Sequence, residues 1–117
     1  MKLWIDDVRP APEGWEWVWI KSVNKTRRFI VNIEASAMIA KEYNLTYNQD
    51  DPIIEIELID IDHDAGDYAS DGGDYIKLLD WLEETGRNYP IHIHSQNPVG
   101  VANMRAIIRK NGWREIS

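Results

Sequence analysis

An α/β fold built on a mostly parallel sheet of four or five strands is what this sequence predicts, on three observations. Short runs rich in β-branched and aromatic residues alternate along the chain with segments of helical periodicity, as strands joined by crossover helices would. Three of those runs end in polar clusters: Asp6-Asp7-x-Arg9, Asp62-His63-Asp64 and His94-Ser95-x-Asn97. Neighbouring strands of an open parallel sheet deliver their C-terminal ends to one crevice, where ligands bind. The third observation is the stretch IDIDHDAGDYASDGGD, residues 59–74, with six aspartates in sixteen positions and no Lys or Arg. Two carboxylates about 5 Å apart repel by roughly 3 kcal/mol at an effective dielectric near 20. That density calls for solvent, raised pKa values or a cation.

Taken in order, residues 2–6 (KLWID) read as a strand ending in the pair Asp6-Asp7. Arg9-Pro10-Ala11-Pro12-Glu13-Gly14 is a stiff loop, because each proline lacks a donor and pushes the preceding residue to extended shapes. Residues 15–21 alternate and form a second strand, with Trp15, Trp17 and Trp19 as a packed face. About eight residues join these two strands. That loop reaches ~26 Å at most, which leaves the second strand parallel through a tight crossover or antiparallel. Asn24 is a fair N-cap for a helix to about Tyr43, in which Phe29, Ile30, Ile33, Ala37 and Ala40 recur at helical spacing. Residues 44–52 form a polar loop and residues 53–62 a strand.

After the acidic loop, Gly73 or Asp74 caps a helix with Ile76, Leu79 and Leu82 on one face, stopping at Gly86. Residues 89–94 (YPIHIH) are a further strand, 99–110 a helix stopped by Gly112, and 113–116 a short last strand. Helices between successive strands would cover both faces of the sheet. No repeat or linker divides the chain, so residues 1–117 read as a single domain.

Composition narrows the function classes. No apolar run approaches the ~20 residues of a membrane span, and the N-terminus lacks a signal-peptide core. With no cysteine, disulfides and thiolate zinc sites are excluded; the cytoplasm is the default location. A net charge of −7 argues against an extended nucleic-acid groove. It permits a small phosphorylated ligand, or one RNA end, where local cations compensate.

The three clusters divide the chemistry. Hard oxygens from Asp6, Asp7 and Asp62 suit Mg²⁺ or Mn²⁺. Ser95 and Asn97 can donate to phosphate, Arg9 can pair with it bidentately, and Val99 and Gly100 open a helix whose free N–H groups favour an anion. His63 or His94 can shuttle protons near neutral pH, and Asp64 belongs to the same triplet. Plainer roles suit other residues. Asp60 reads as a solvated strand position, His92 as a core histidine or a group behind the site, and Asp67, Asp71 and Asp74 as loop formers and caps. A calcium loop fits poorly: Asp60, Asp62, Asp64 and Asp71 take positions 1, 3, 5 and 12, but Ala65 replaces the required glycine and Asp71 the longer Glu.

The segments WIDDVRPAP, DIDHDAGD and IHIHSQNPVG, in this order, resemble the cyclic-phosphate processing receiver domain family. The likeness implies a receiver-like (flavodoxin-like) αβα sandwich and metal-assisted hydrolysis of a cyclic phosphate, on RNA 2′,3′-cyclic ends or on cyclic nucleotides. By position, Asp6 and Asp7 match the acidic pair that holds Mg²⁺ in receivers. Asp62 matches the phosphoacceptor and Ser95 lies near the hydroxyl position. The chain departs from ordinary receivers in having no evident lysine after a fifth strand and no helix between its first two strands. Added His63, Asp64, His94 and Asn97 point to hydrolysis or ligand binding. The alternative is a non-catalytic degenerate receiver that signals, or binds a ligand or protein.

Overall fold

The computed structural model describes residues 1–43 and 55–117. Four strands, β1 (Lys2–Ile5), β2 (Trp17–Ile20), β3 (Leu58–Ile61) and β4 (Ile91–Ile93), form one sheet in the order β2-β1-β3-β4. All pairings are parallel. Helices α1 (Val23–Glu42), α2 (Ile76–Glu84) and α3 (Pro98–Asn111) follow β2, β3 and β4, and a 3₁₀ turn spans Gly66–Ser70. No helix is long and apolar enough to cross a membrane among the described residues.

The receiver-like α/β architecture expected from sequence is present, and β2 is resolved as parallel. After β2 every connection moves the same way across the sheet, so right-handed crossovers bring all three helices to one face. Leu3, Ile5, Ile59, Ile61 and Ile91 project there and form one core with Ile30, Leu78, Leu79, Leu82, Met104 and Ile108. Because the β1–β2 link holds no helix, coverage of the other face differs from the expected second layer among the described residues. Trp4, Trp17, Asp60 and His92 lie on that face by period two. The β1–β2 loop closes over part of it, where Trp4 Nε1 donates to the Arg9 carbonyl at 2.8 Å.

Several boundaries shift, for local reasons. Ser22, not Asn24, caps α1: its Oγ accepts from Lys25 N at 3.2 Å, while Asn24 turns its amide to Asp71. Tyr75 occupies the α2 N-cap position without a side-chain cap, because Asp74 accepts from the Ala65 amide instead. Trp15, 95% exposed, is outside β2 and outside any packed face. The third strand is Leu58–Ile61, shorter than residues 53–62; residues 44–52, read as a loop, and Ile53 and Ile54 lie outside the described residues. The fourth is Ile91–Ile93 rather than 89–94. Residues 113–116 make only one parallel bridge, Glu115 with Ile91. Gly112, at φ 66°, ends α3 as expected.

One polar tie fastens the helical layer. Glu34 on α1 accepts from Arg87 Nε and Nη2 at 3.0 and 2.8 Å, and from the Tyr89 hydroxyl. Burial pushes the Glu34 carboxyl up, but these hydrogen bonds and the Arg87 charge outweigh it and hold it below the ordinary value. The stabilisation is therefore full above the ordinary Glu pKa and fades as pH falls through the lowered one. Glu34→Ala is expected to cost about 2 kcal/mol in urea unfolding at pH 7, and less at pH 3.

Candidate functional site

Parallel register decides which strand-end residues meet. Trp4, Asp60 and His92 are cross-strand neighbours on β1, β3 and β4. Two residues further on, Asp6, Asp62 and His94 follow on the same face at the C-terminal edge. One ligand atom from each of these three lies within 4.8 Å of the others.

His94 is the hub. Its Nε2 is 2.9 Å from Asp6 Oδ2 and its Nδ1 is 2.7 Å from Asp60 Oδ1. The Trp4 indole stacks on the imidazole, rings parallel and centroids 3.8 Å apart. The side chain is only 8% exposed. Burial opposes the charged ring, but the Asp60 and Asp6 hydrogen bonds and charges prevail, so the His94 pKa is raised. Asp6 is completely buried. Burial pushes its carboxyl up, yet the Arg9 and Val8 amides, donating to Oδ1 at 2.8 and 2.9 Å, and His94 bring it below the usual range. Both partners thus favour an imidazolium between carboxylates.

Asp60, expected to be solvated, is 6% exposed and bonded to both His94 and His92, the latter at 2.8 Å. It was missed because a mid-strand aspartate carries no signal of its own. The available clue was the matched spacing of Asp60-x-Asp62 and His92-x-His94, two pairs of period two on neighbouring strands. His92 is thereby placed behind the site rather than in the core.

The remaining predicted residues fall around this hub. Asp7 is not in the cluster; its Oδ2 packs against Gly66, where φ is 54° and a Cβ would collide. Arg9 contributes its backbone, amide to Asp6 and carbonyl to Trp4, while its side chain is exposed. Asp62 Oδ1 accepts from the His63 amide at 2.8 Å. His63 Nδ1 pairs with Asp64 Oδ1 at 2.8 Å and comes within 3.5 Å of Asn97 Nδ2. Asn97 caps α3: its Oδ1 accepts from Gly100 N at 3.1 Å, so that amide is not free for an anion as expected. Ser95 Oγ accepts from the Asn97 amide at 3.1 Å.

Gly100 has a steric reason to be glycine. A Cβ there would run into the His63 ring. Gly100→Ala is expected to cost about 1–3 kcal/mol in urea unfolding and to displace His63 from Asn97, visible as shifted His63 imidazole resonances.

Two carboxylates and an imidazole are gathered beyond the ends of parallel strands, an acidic cluster whose ligand atoms are close enough together to hold one metal ion. The family model of the cyclic-phosphate processing receiver domain matches residues 1–110. The chain belongs to that family. Comparisons with curated proteins and with solved structures gave no match. In this cyclic-phosphate processing receiver domain, the matched span takes in every strand and nearly all of α3. The Asp6, Asp62 and His94 cluster lies wholly within it.

The donor set fits a divalent cation. Asp6 and Asp62 offer hard oxygens. Among the described residues, the only positive group bonded to Asp6 is His94, when protonated. Asp62 appears in no ion pair among the described residues.

Proposed function

We propose that this domain hydrolyses a cyclic phosphodiester with the assistance of Mg²⁺ or Mn²⁺ held by Asp6 and Asp62. The observation that carries the proposal is the convergence of Asp6, Asp62 and His94 within 4.8 Å. A bound cation would neutralise charge on the phosphate and acidify water. Asp62 has one oxygen taken by the His63 amide, which leaves the other to orient the attacking water. As the water oxygen bonds to phosphorus, one ring P–O bond breaks. His94, kept protonated between Asp60 and Asp6, gives its Nε2 proton to the departing hydroxyl. The product is a phosphomonoester, and the proton released by water restores the imidazolium. Asn97 Nδ2, His63, Ser95 and Arg9 are the donors for phosphate oxygens, and Asp64 holds the His63 ring.

Phosphorus NMR of a 2′,3′-cyclic nucleotide incubated with the protein and Mn²⁺ tests this. The cyclic resonance should give way to a phosphomonoester resonance, and EDTA should stop the change. An unaltered cyclic resonance with Mn²⁺ present would contradict the proposal.

A further inference from the structure

Residues 17–33 carry Lys21, Lys25, Arg27 and Arg28 and no acidic residue, in a chain with 13 cations against 20 acids. Lys25, Arg27 and Arg28 are exposed on the first two turns of α1. The Lys and Arg ion pairs of the described residues are Lys77–Asp80, Arg87–Glu34, Arg105–Glu115 and Lys110–Glu83, so none of the four joins one. Asp71 is the acid that faces Lys25 and Arg28, and its oxygens are taken by Ser22 and Asn24.

Arg27 and Arg28 line a groove of about 410 Å³ with Asn24, Val31, Asn32 and Trp81, and Lys25 follows Asn24 on the first turn of α1. Its floor is fixed, since the Trp81 ring carries Arg87 at 4.3 Å and Arg27 at 5.4 Å. From Asn24 to Asn32 the groove runs about 12 Å along α1. Its upper end reaches the acidic loop, where Asn24 Nδ2 donates to Asp71 Oδ1 at 3.1 Å. The Lys21 ammonium lies over the Trp19 ring at 4.6 Å and near Tyr68 at 5.8 Å. Trp19 Nε1 donates to the Asp6 carbonyl at 2.7 Å, and the Lys21 carbonyl accepts from Tyr75 OH.

We infer that this basic groove along α1 binds the backbone of a single-stranded nucleic acid. Guanidinium and amide groups suit successive phosphates. The track is one helix face wide, which a chain of net charge −7 accommodates because four of its thirteen cations fall within residues 21–28 with no acidic residue among them. This backbone track does not rest on the cyclic-phosphate reading.

The test is fluorescence anisotropy in EDTA with a labelled single-stranded oligoribonucleotide of about ten nucleotides, with a 2′,3′-cyclic mononucleotide as competitor. The oligonucleotide is expected to bind at least tenfold tighter than the mononucleotide. Arg27→Gln/Arg28→Gln should remove that advantage and flatten the slope of log affinity against log salt by roughly 1.4, leaving mononucleotide affinity unchanged. Because Arg27 also packs on Trp81, Arg28→Gln and Lys25→Gln alone serve as fold-neutral variants, each flattening the slope by roughly 0.7. Equal affinity for the two ligands, or variants with the parent slope, would overturn the inference. So would binding to anionic phospholipid vesicles without binding to the oligonucleotide. Oligonucleotide binding in EDTA, together with no opening of a cyclic phosphate once Mn²⁺ is supplied, would leave the track standing and remove the hydrolytic reading. Opening of mononucleotide and oligonucleotide alike, untouched by the arginine variants, would do the reverse.

Discussion

Asp62→Asn is expected to lower kcat/KM on a 2′,3′-cyclic nucleotide at least a hundredfold, or about 2.7 kcal/mol of transition-state stabilisation. The substitution keeps the shape and the acceptor for the His63 amide but removes the charge that would hold a cation and orient water. Its effect on folding should have the opposite sign. Asp6 and Asp62 place oxygens within 4.8 Å of one another, a repulsion of roughly 3 kcal/mol at an effective dielectric near 20. In EDTA the variant should therefore unfold at an equal or higher urea concentration than the parent. Lost activity with retained or raised stability marks a residue kept for chemistry. Lost stability would assign Asp62 to the scaffold, and parental turnover would remove it from the mechanism.

The second large effect is expected at His94. His94→Gln leaves Asp6 and Asp60 buried without the ring that bridges them. Breaking a buried charged pair from one side costs about 3–5 kcal/mol, a large part of a domain's total stability. In the parent, the raised His94 pKa stabilises fully below the ordinary histidine value of 6.5 and is lost as pH rises through the raised one. The lowered Asp6 pKa stabilises fully above the ordinary 3.8 and is lost as pH falls through the lowered one. Metal-free stability should thus peak between about pH 4 and 6.5, and His94→Gln should flatten that peak. Turnover should fall on the alkaline side as His94 loses its proton. Asp60→Asn, which takes away one of the two anions raising that pKa, should move this limb to lower pH. An unmoved limb would mean that another group supplies the proton.

Much of this could be read from the residues. The parallel sheet follows from alternating strands and helices. The location of the site follows from polar clusters at three strand ends. What could not be read is register. Asp6 and Asp7 look equivalent as letters, but adjacent positions at a strand end diverge, and only Asp6 meets Asp62 and His94. Asp60 and His92 looked like background until β3 and β4 were aligned and the two side chains became cross-strand partners. Capping was misjudged for a related reason. Asn24 and Asp74 are good caps by type, but each has a tertiary partner, Asp71 and the Ala65 amide. That all three helices of the described residues share one sheet face depends on handedness and strand order together, and neither is written in any one segment.

The most direct measurement is anomalous scattering from a crystal grown with Mn²⁺ and inorganic phosphate. A manganese peak is expected within about 2–2.3 Å of carboxylate oxygens of both Asp6 and Asp62, with phosphate between that peak and His94. Manganese found instead in the loop of Asp67, Asp71 and Asp74, with nothing at Asp6 and Asp62, would contradict the proposed function.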